Sequence, residues 1–164
     1  MEVSALICIL ALLVSESLTL KTFNMSVIIS SKSLFNVVTR EKNNNGAVFT
    51  VKSLKTKKDF TYKISRKFWN KKWYTHVRCE NGYLNFNYLG TYFNGKIFKK
   101  GAVNTIPTAE SIAFILKWVE QGKFEWLDTH MEVMHEGKCL CCGKTLTDAN
   151  SIQKGIGPVC AGSK

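Results

Sequence analysis

"KSLKTKKDFTYKISRKFWNKKWY", residues 52–74, decides how this chain folds. Within it Phe60, Tyr62 and Ile64 alternate with Thr61, Lys63 and Ser65. A period of two belongs to a strand with one face on a core and the other in water. Runs of similar β-branched and aromatic composition lie on either side: "AVFTVKSL", "KWYTHVRCE", "YLNFNYLGTYF" and "KIFKKG". Turn residues punctuate them, "NNNG" at 43–46, "ENG" at 80–82 and "FNG" at 93–95. From Val27 to about Val103 the chain therefore reads as local hairpins of an antiparallel, twisted sheet.

The pattern changes beyond Val103. In "NTIPTAESIAFILKWVEQGKF", Ile112, Ile115, Leu116 and Val119 recur at helical spacing and give one apolar face. The expected helix runs from about Thr108 to Gln121. Thr108 caps its first turn, Glu110 suits the positive end of the dipole, and Gly122 stands at the usual stop position. "FEWLDTHMEVM" follows as a short strand or irregular connection. The fold class is α+β: an antiparallel β-sheet with one packed helix and a small C-terminal zinc-binding module. The expected divisions are residues 1–24 as a leader or mis-assigned start, 25–130 as a basic sheet-plus-helix domain, and 131–164 as a zinc-knuckle-like module.

Charge is the most informative total. The 164 residues carry 23 Lys+Arg against 12 Asp+Glu, a net charge of +11. Such a surplus on a small protein points to an anionic partner, nucleic acid first. Within residues 52–74 the cations are interleaved with rings and opposed only by Asp59. The candidate nucleic-acid contacts are Lys55, Lys57, Lys58, Lys63, Arg66, Lys67, Trp69, Lys71, Lys72 and Trp73. Lysines contact phosphates and exposed rings stack on unpaired bases. The plainer reading is that most of these aromatics are core and the lysines solvate the opposite face. Trp69 and Trp73, crowded by lysines, are the rings least suited to a core.

"HEGKCLCCGKTLTDANSIQKGIGPVC", residues 135–160, holds four of the six cysteines. The spacing His135-x3-Cys139-x2-Cys142-x17-Cys160 has the shape of a zinc knuckle, with Gly143 turning the backbone toward the sulfurs. Three thiolates and the His135 imidazole would close a tetrahedral Zn2+ site with no position for water, hence a structural one. His130, Cys141 and Asp148 are alternatives for the fourth ligand. A Cys139–Cys142 disulfide would close a small strained ring, and a redox pair needs a βαβ context absent here. Leu146, Ile152 and Ile156 are the expected apolar plugs, Thr147 a cap, and "GIGP" a turn. Cys79 reads as a buried small side chain and Cys8 as part of the leader.

This stretch resembles a small domain family of unknown function common in bacteriophages and bacteria. It shares Gly143, Leu146, Thr147, Ser151, Gly155, Gly157 and Pro158 with that family's signature. The family's presumed metal cysteines fall on Cys139, Cys142 and Cys160 and its upstream histidine on His135. The segment just before is also similar to the sheet-plus-helix part of longer phage members. The resemblance implies a zinc-binding phage or prophage accessory protein made in the host cytoplasm, without an assigned reaction.

The first 24 residues contain an apolar run, Ala5 to Val14, of signal-peptide length and too short to span a bilayer. The residues before it are Met1 and Glu2, acidic where a signal needs a cation, and no small-residue cleavage site follows. Translation from Met25 is preferred over secretion. No paired carboxylates stand at catalytic spacing and His76 and His130 are isolated, so no enzyme is expected. The expected function is a non-enzymatic binding protein that contacts nucleic acid through the basic sheet. Its rival is a module that docks on a host or anti-phage defence protein. No membrane partner is expected.

Overall fold

The computed structural model describes residues 26–40, 46–82 and 85–162. The expectations for the leader and for Cys8 lie outside these residues. Eight strands form one antiparallel sheet: β1 (Val27–Ile29), β2 (Ala47–Ser53), β3 (Asp59–Trp69), β4 (Lys72–Glu80), β5 (Phe86–Phe93), β6 (Lys96–Lys99), β7 (Ala102–Val103) and β8 (Met131–His135). Their order across the sheet is β1-β8-β2-β3-β4-β5-β6-β7. The segment from β2 to β7 is a meander of neighbours in sequence. Asn70-Lys71, Asn94-Gly95 and Lys100-Gly101 join three of its pairs, all with positive φ, the hand that suits strand twist.

The β3 alternation has the expected sense. Tyr62 and Ile64 pair with Phe49 and Ala47 on one side and with Cys79 and Val77 on the other, and all are buried. Three helices cover this face: α1 (Ser31–Val38), α2 (Pro107–Glu120) and α3 (Phe124–His130). Ala109, Ile112, Ile115, Leu116 and Val119 of α2 enter the core. The Tyr62 hydroxyl donates to the Thr108 carbonyl at 3.0 Å, tying the sheet to the start of α2.

Several expectations change at the elements. Ser31–Val38, read as β structure, is a helix, because the Ser30 side chain accepts from Ser33 N–H and Leu34, Val37 and Val38 bury at helical spacing. Asp128 of α3 accepts from the Ser31 N–H at 2.8 Å, which binds α1 to α3. Pro107, not Thr108, opens α2: proline has no N–H to satisfy at a first helical position. At the other end Gly122 N–H reaches Val119 O and Lys123 N–H reaches Trp118 O, the paired bonds of a Schellman stop. The supposed connection after α2 is the helix α3 followed by β8. Because β8 pairs with both β1 and β2, residues 131–135 belong to the sheet.

One irregularity shapes the opposite face. Val77 pairs with Gly90 but Arg78 pairs with Tyr88, so Leu89 is an extra residue in β5. Leu89 turns into the core and Tyr88 turns out beside Arg78. Gly90 is required there, since a Cβ would lie 2.3 Å from the Phe98 carbonyl oxygen.

Candidate metal centre and basic sheet face

Two short helices, α4 (Ala149–Lys154) and α5 (Pro158–Gly162), complete the tail. Asp148, not Thr147, caps α4: its carboxylate accepts from Ser151 N–H at 2.8 Å, and these bonds hold it below the usual carboxylate range. Gly155 ends α4 with φ +67, and a Cβ there would stand 3.0 Å from Leu140 and 3.4 Å from Ile29. That close approach seats the tail on β1. Leu146 is buried and Ile156 packs against the core as expected; Leu140, fully enclosed, is the plug the sequence did not single out.

These turns bring three sulfurs together. The Sγ atoms of Cys139, Cys142 and Cys160 all lie within 4.8 Å of one another. Thiolates about 2.3 Å from one ion in tetrahedral array are about 3.8 Å apart, so the cluster fits a metal. Gly157 N–H donates to the Cys139 sulfur at 3.4 Å. Burial works to raise the Cys139 thiol, but backbone donors from Gly157, Cys142 and Cys141 bring it below its ordinary value, toward the thiolate a metal requires. Cys160 is pushed up to about 12 by burial and by its sulfur neighbours. No disulfide joins the described cysteines. Cys139, Cys142 and Cys160 can thus hold a metal ion.

His135 does not join them. It is 3% exposed, and both ring nitrogens are engaged by backbone. Gly137 N–H donates to Nδ1 at 3.1 Å, and Nε2, 2.8 Å from the Ile152 carbonyl, must carry the hydrogen that bond needs. No lone pair remains for a metal. The register of β8 explains this, because His135 falls opposite Val27 on the helix-covered side, under α4. The other candidates for a fourth ligand are also outside the cluster: His130 stacks on Trp126 at 3.9 Å, and Asp148 serves α4. Cys141, half-buried, is not among the grouped sulfurs.

The candidate nucleic-acid residues separate into three places. Lys63, Lys67, Trp69 and Lys72 project from the face of the sheet that no described helix covers. Arg66 and Trp73 lie on the other face, with the guanidinium 5.3 Å from the Trp73 ring and bonded to the Thr39 carbonyl. Lys71 is in the β3–β4 turn. Lys55, Lys57 and Lys58 precede β3 at its far end, where Lys55 and Lys58 edge a cleft of about 550 Å³ lined by Phe60, Phe114, Trp126 and Met131. The strand separates these lysines from the turn by roughly 30 Å.

The uncovered face gains residues not named from the sequence. Tyr74, His76, Arg78, Tyr88, Phe93 and Lys96 share it with Lys63 and Lys67 by register. Arg78 stands over the Tyr88 ring at 5.6 Å, and Tyr88 hydroxyl is 3.0 Å from His76 Nδ1. Burial, then Lys67 and Arg78, keeps His76 below its ordinary value. Among described strand residues, the carboxylates of this face, Asp59, Glu80 and Glu132, all belong to the half away from the β3–β4 turn. At that end the Cys139–Gly143 loop meets Val48, Thr61 and Phe86 across a cleft of about 200 Å³.

Fold and site together define an α+β protein with a one-sided basic sheet and a tail built around three clustered thiols. Residues 129–163 match a family of unknown function (DUF6011). Comparisons with curated proteins and with solved structures found no significant match. No helix of the described residues is long and apolar enough to cross a membrane.

Proposed function

We propose that this chain is a non-enzymatic, zinc-stabilised accessory protein that contacts nucleic acid through the uncovered face of its sheet. The observation that carries the reading is the segregation of charge on that face. Lys67, Lys72 and Lys96 share its turn-proximal half with rings and without a strand carboxylate, and the Lys63–Arg78 pair adds two cations just past mid-strand. Phosphates neutralise such a surface and release counterions. Zn2+ suits the tail because thiolate donors favour it over harder divalent ions. When bound, the ion holds together a segment too small to bury a core of its own. Cys139, Cys142 and Cys160 supply its sulfurs, while His135 orients the backbone around them. The likeness of residues 135–160 to phage and bacterial domains favours an intracellular setting in a phage or its host, where thiols stay reduced.

Titration of the metal-loaded protein with labelled oligonucleotides tests the reading. Affinity should fall steeply and log-linearly as salt rises, by a slope of about 0.7 to 0.9 per phosphate contacted. Absence of binding at low salt overturns it and promotes an acidic host or defence protein as the partner of the same face.

A further inference from the structure

We infer that the ligand of this face is single-stranded nucleic acid, gripped at the β3–β4 turn by base stacking on Trp69, Tyr74 and Phe93. The inference rests on the nucleic-acid reading above and narrows it. Trp69 is 70% exposed and Phe93 71% exposed, at the end of the face opposite its strand carboxylates Asp59, Glu80 and Glu132. Large rings held in water are costly unless a partner covers them. Turn chemistry holds them there: positive φ at Asn70, Lys71, Asn94 and Gly95 ends both hairpins tightly, leaving the rings on the last strand positions.

Their arrangement separates two kinds of contact. Lys67 pairs with Tyr74, and Phe93 pairs with Lys96. Because Thr75 pairs with Tyr92, Tyr74 and Phe93 are neighbours one step further along. A row therefore runs Lys67–Tyr74–Phe93–Lys96 across four strands, two rings flanked by two cations, spanning roughly 14 Å. Trp69 extends the ring group, its centroid 6.2 Å from that of Tyr74. Cations alone would serve a duplex equally well. Rings reach the faces of bases only when those bases are unstacked from a duplex, and every base has such a face, so the grip needs no sequence preference. Phosphates then follow Lys67, Lys72 and Lys96 while bases lie on the rings between them.

The test uses the full metal-loaded chain, with anisotropy of labelled single strands and duplexes of about 15 nucleotides. Single strands should bind at least about tenfold more tightly than duplexes of equal length. Trp69→Ala and Phe93→Ala should each weaken single-strand binding about tenfold, leave the salt slope unchanged and alter duplex binding little. Trp69→Phe, which keeps a ring, should retain most of the affinity. Lys67→Gln should instead flatten the salt slope by about 0.7 for single strands. Equal affinity for both forms with neutral ring variants overturns the inference and leaves nucleic-acid binding intact. Failure to bind either form overturns both. Binding only to anionic phosphatidylserine vesicles, with loss on Trp69→Ala, also overturns it and makes the turn an interfacial anchor.

Discussion

A histidine four positions before a Cys-x2-Cys pair invites the role of metal ligand, yet His135 has its two nitrogens committed to Gly137 N–H and Ile152 C=O. The sequence spacing carries no trace of that competition, because the Ile152 carbonyl arrives from a helix 17 residues later. Two substitutions separate the roles. Cys142→Ser should abolish metal retention, measured by elemental analysis of purified protein. His135→Ala should keep the metal stoichiometry but lower stability in denaturant titration by about 1–3 kcal/mol, the cost of two stranded buried backbone groups. His76 gives a pH signature. Its folded value lies below the unfolded value near 6.5, so the unfolded chain binds more protons in that window. Its contribution to stability is therefore complete above about pH 6.5 and is lost as pH falls through the lower folded value. Lys67, Arg78 and Tyr88 face it, and His76→Gln should flatten the fall in unfolding midpoint between neutral and mildly acidic buffer.

At the scale of elements, alternation in β3 and periodicity in α2 were legible because each has one strongly apolar face. Helix α1 was not, since Phe35, Val37 and Val38 suit a strand as well as a helix, and beyond the local Ser30 cap the contact that secures it, Asp128 to Ser31, comes from 97 residues away in the chain. The bulge at Leu89 was equally hidden. Simple alternation back from Tyr92 would send Tyr88 inward, whereas the extra residue sends it to the basic face. Gly90→Ala should therefore be costly: with φ +145 and the Phe98 oxygen in the way, a loss of about 2 kcal/mol or more is expected in thermal unfolding. The same substitution should also move the environment of Tyr88, visible as a shift of its ring signals in NMR spectra.

For the whole molecule, the decisive feature is that β8 is inserted between β1 and β2 although it follows β7 in the chain. The tail is thus anchored by a strand of the sheet rather than appended to it, and Arg40, just after α1, bonds the carbonyls of Cys160 and Ala161. Chain ends set six residues apart should behave very differently. A protein ending after Glu136 keeps all eight strands and should still unfold cooperatively, though at lower temperature. One ending after His130 loses a strand paired on both sides and should fail to give a cooperative melt by circular dichroism. Removal of metal by a chelator should likewise loosen the tail first, with far-UV strand signal retained at temperatures where the tail has opened.

By itself the sequence determined the meander, the apolar face of α2, the excess of cations and the trio Cys139, Cys142 and Cys160, because each is written in local spacing or in composition. Tertiary structure alone decided that His135 orients backbone instead of joining the sulfurs, that Arg66 and Trp73 leave the basic face, and that Tyr88 and Phe93 enter it. Those outcomes depend on register between strands and on which carbonyl or N–H arrives from elsewhere in the chain, and a one-residue shift in pairing reverses the face of every side chain that follows.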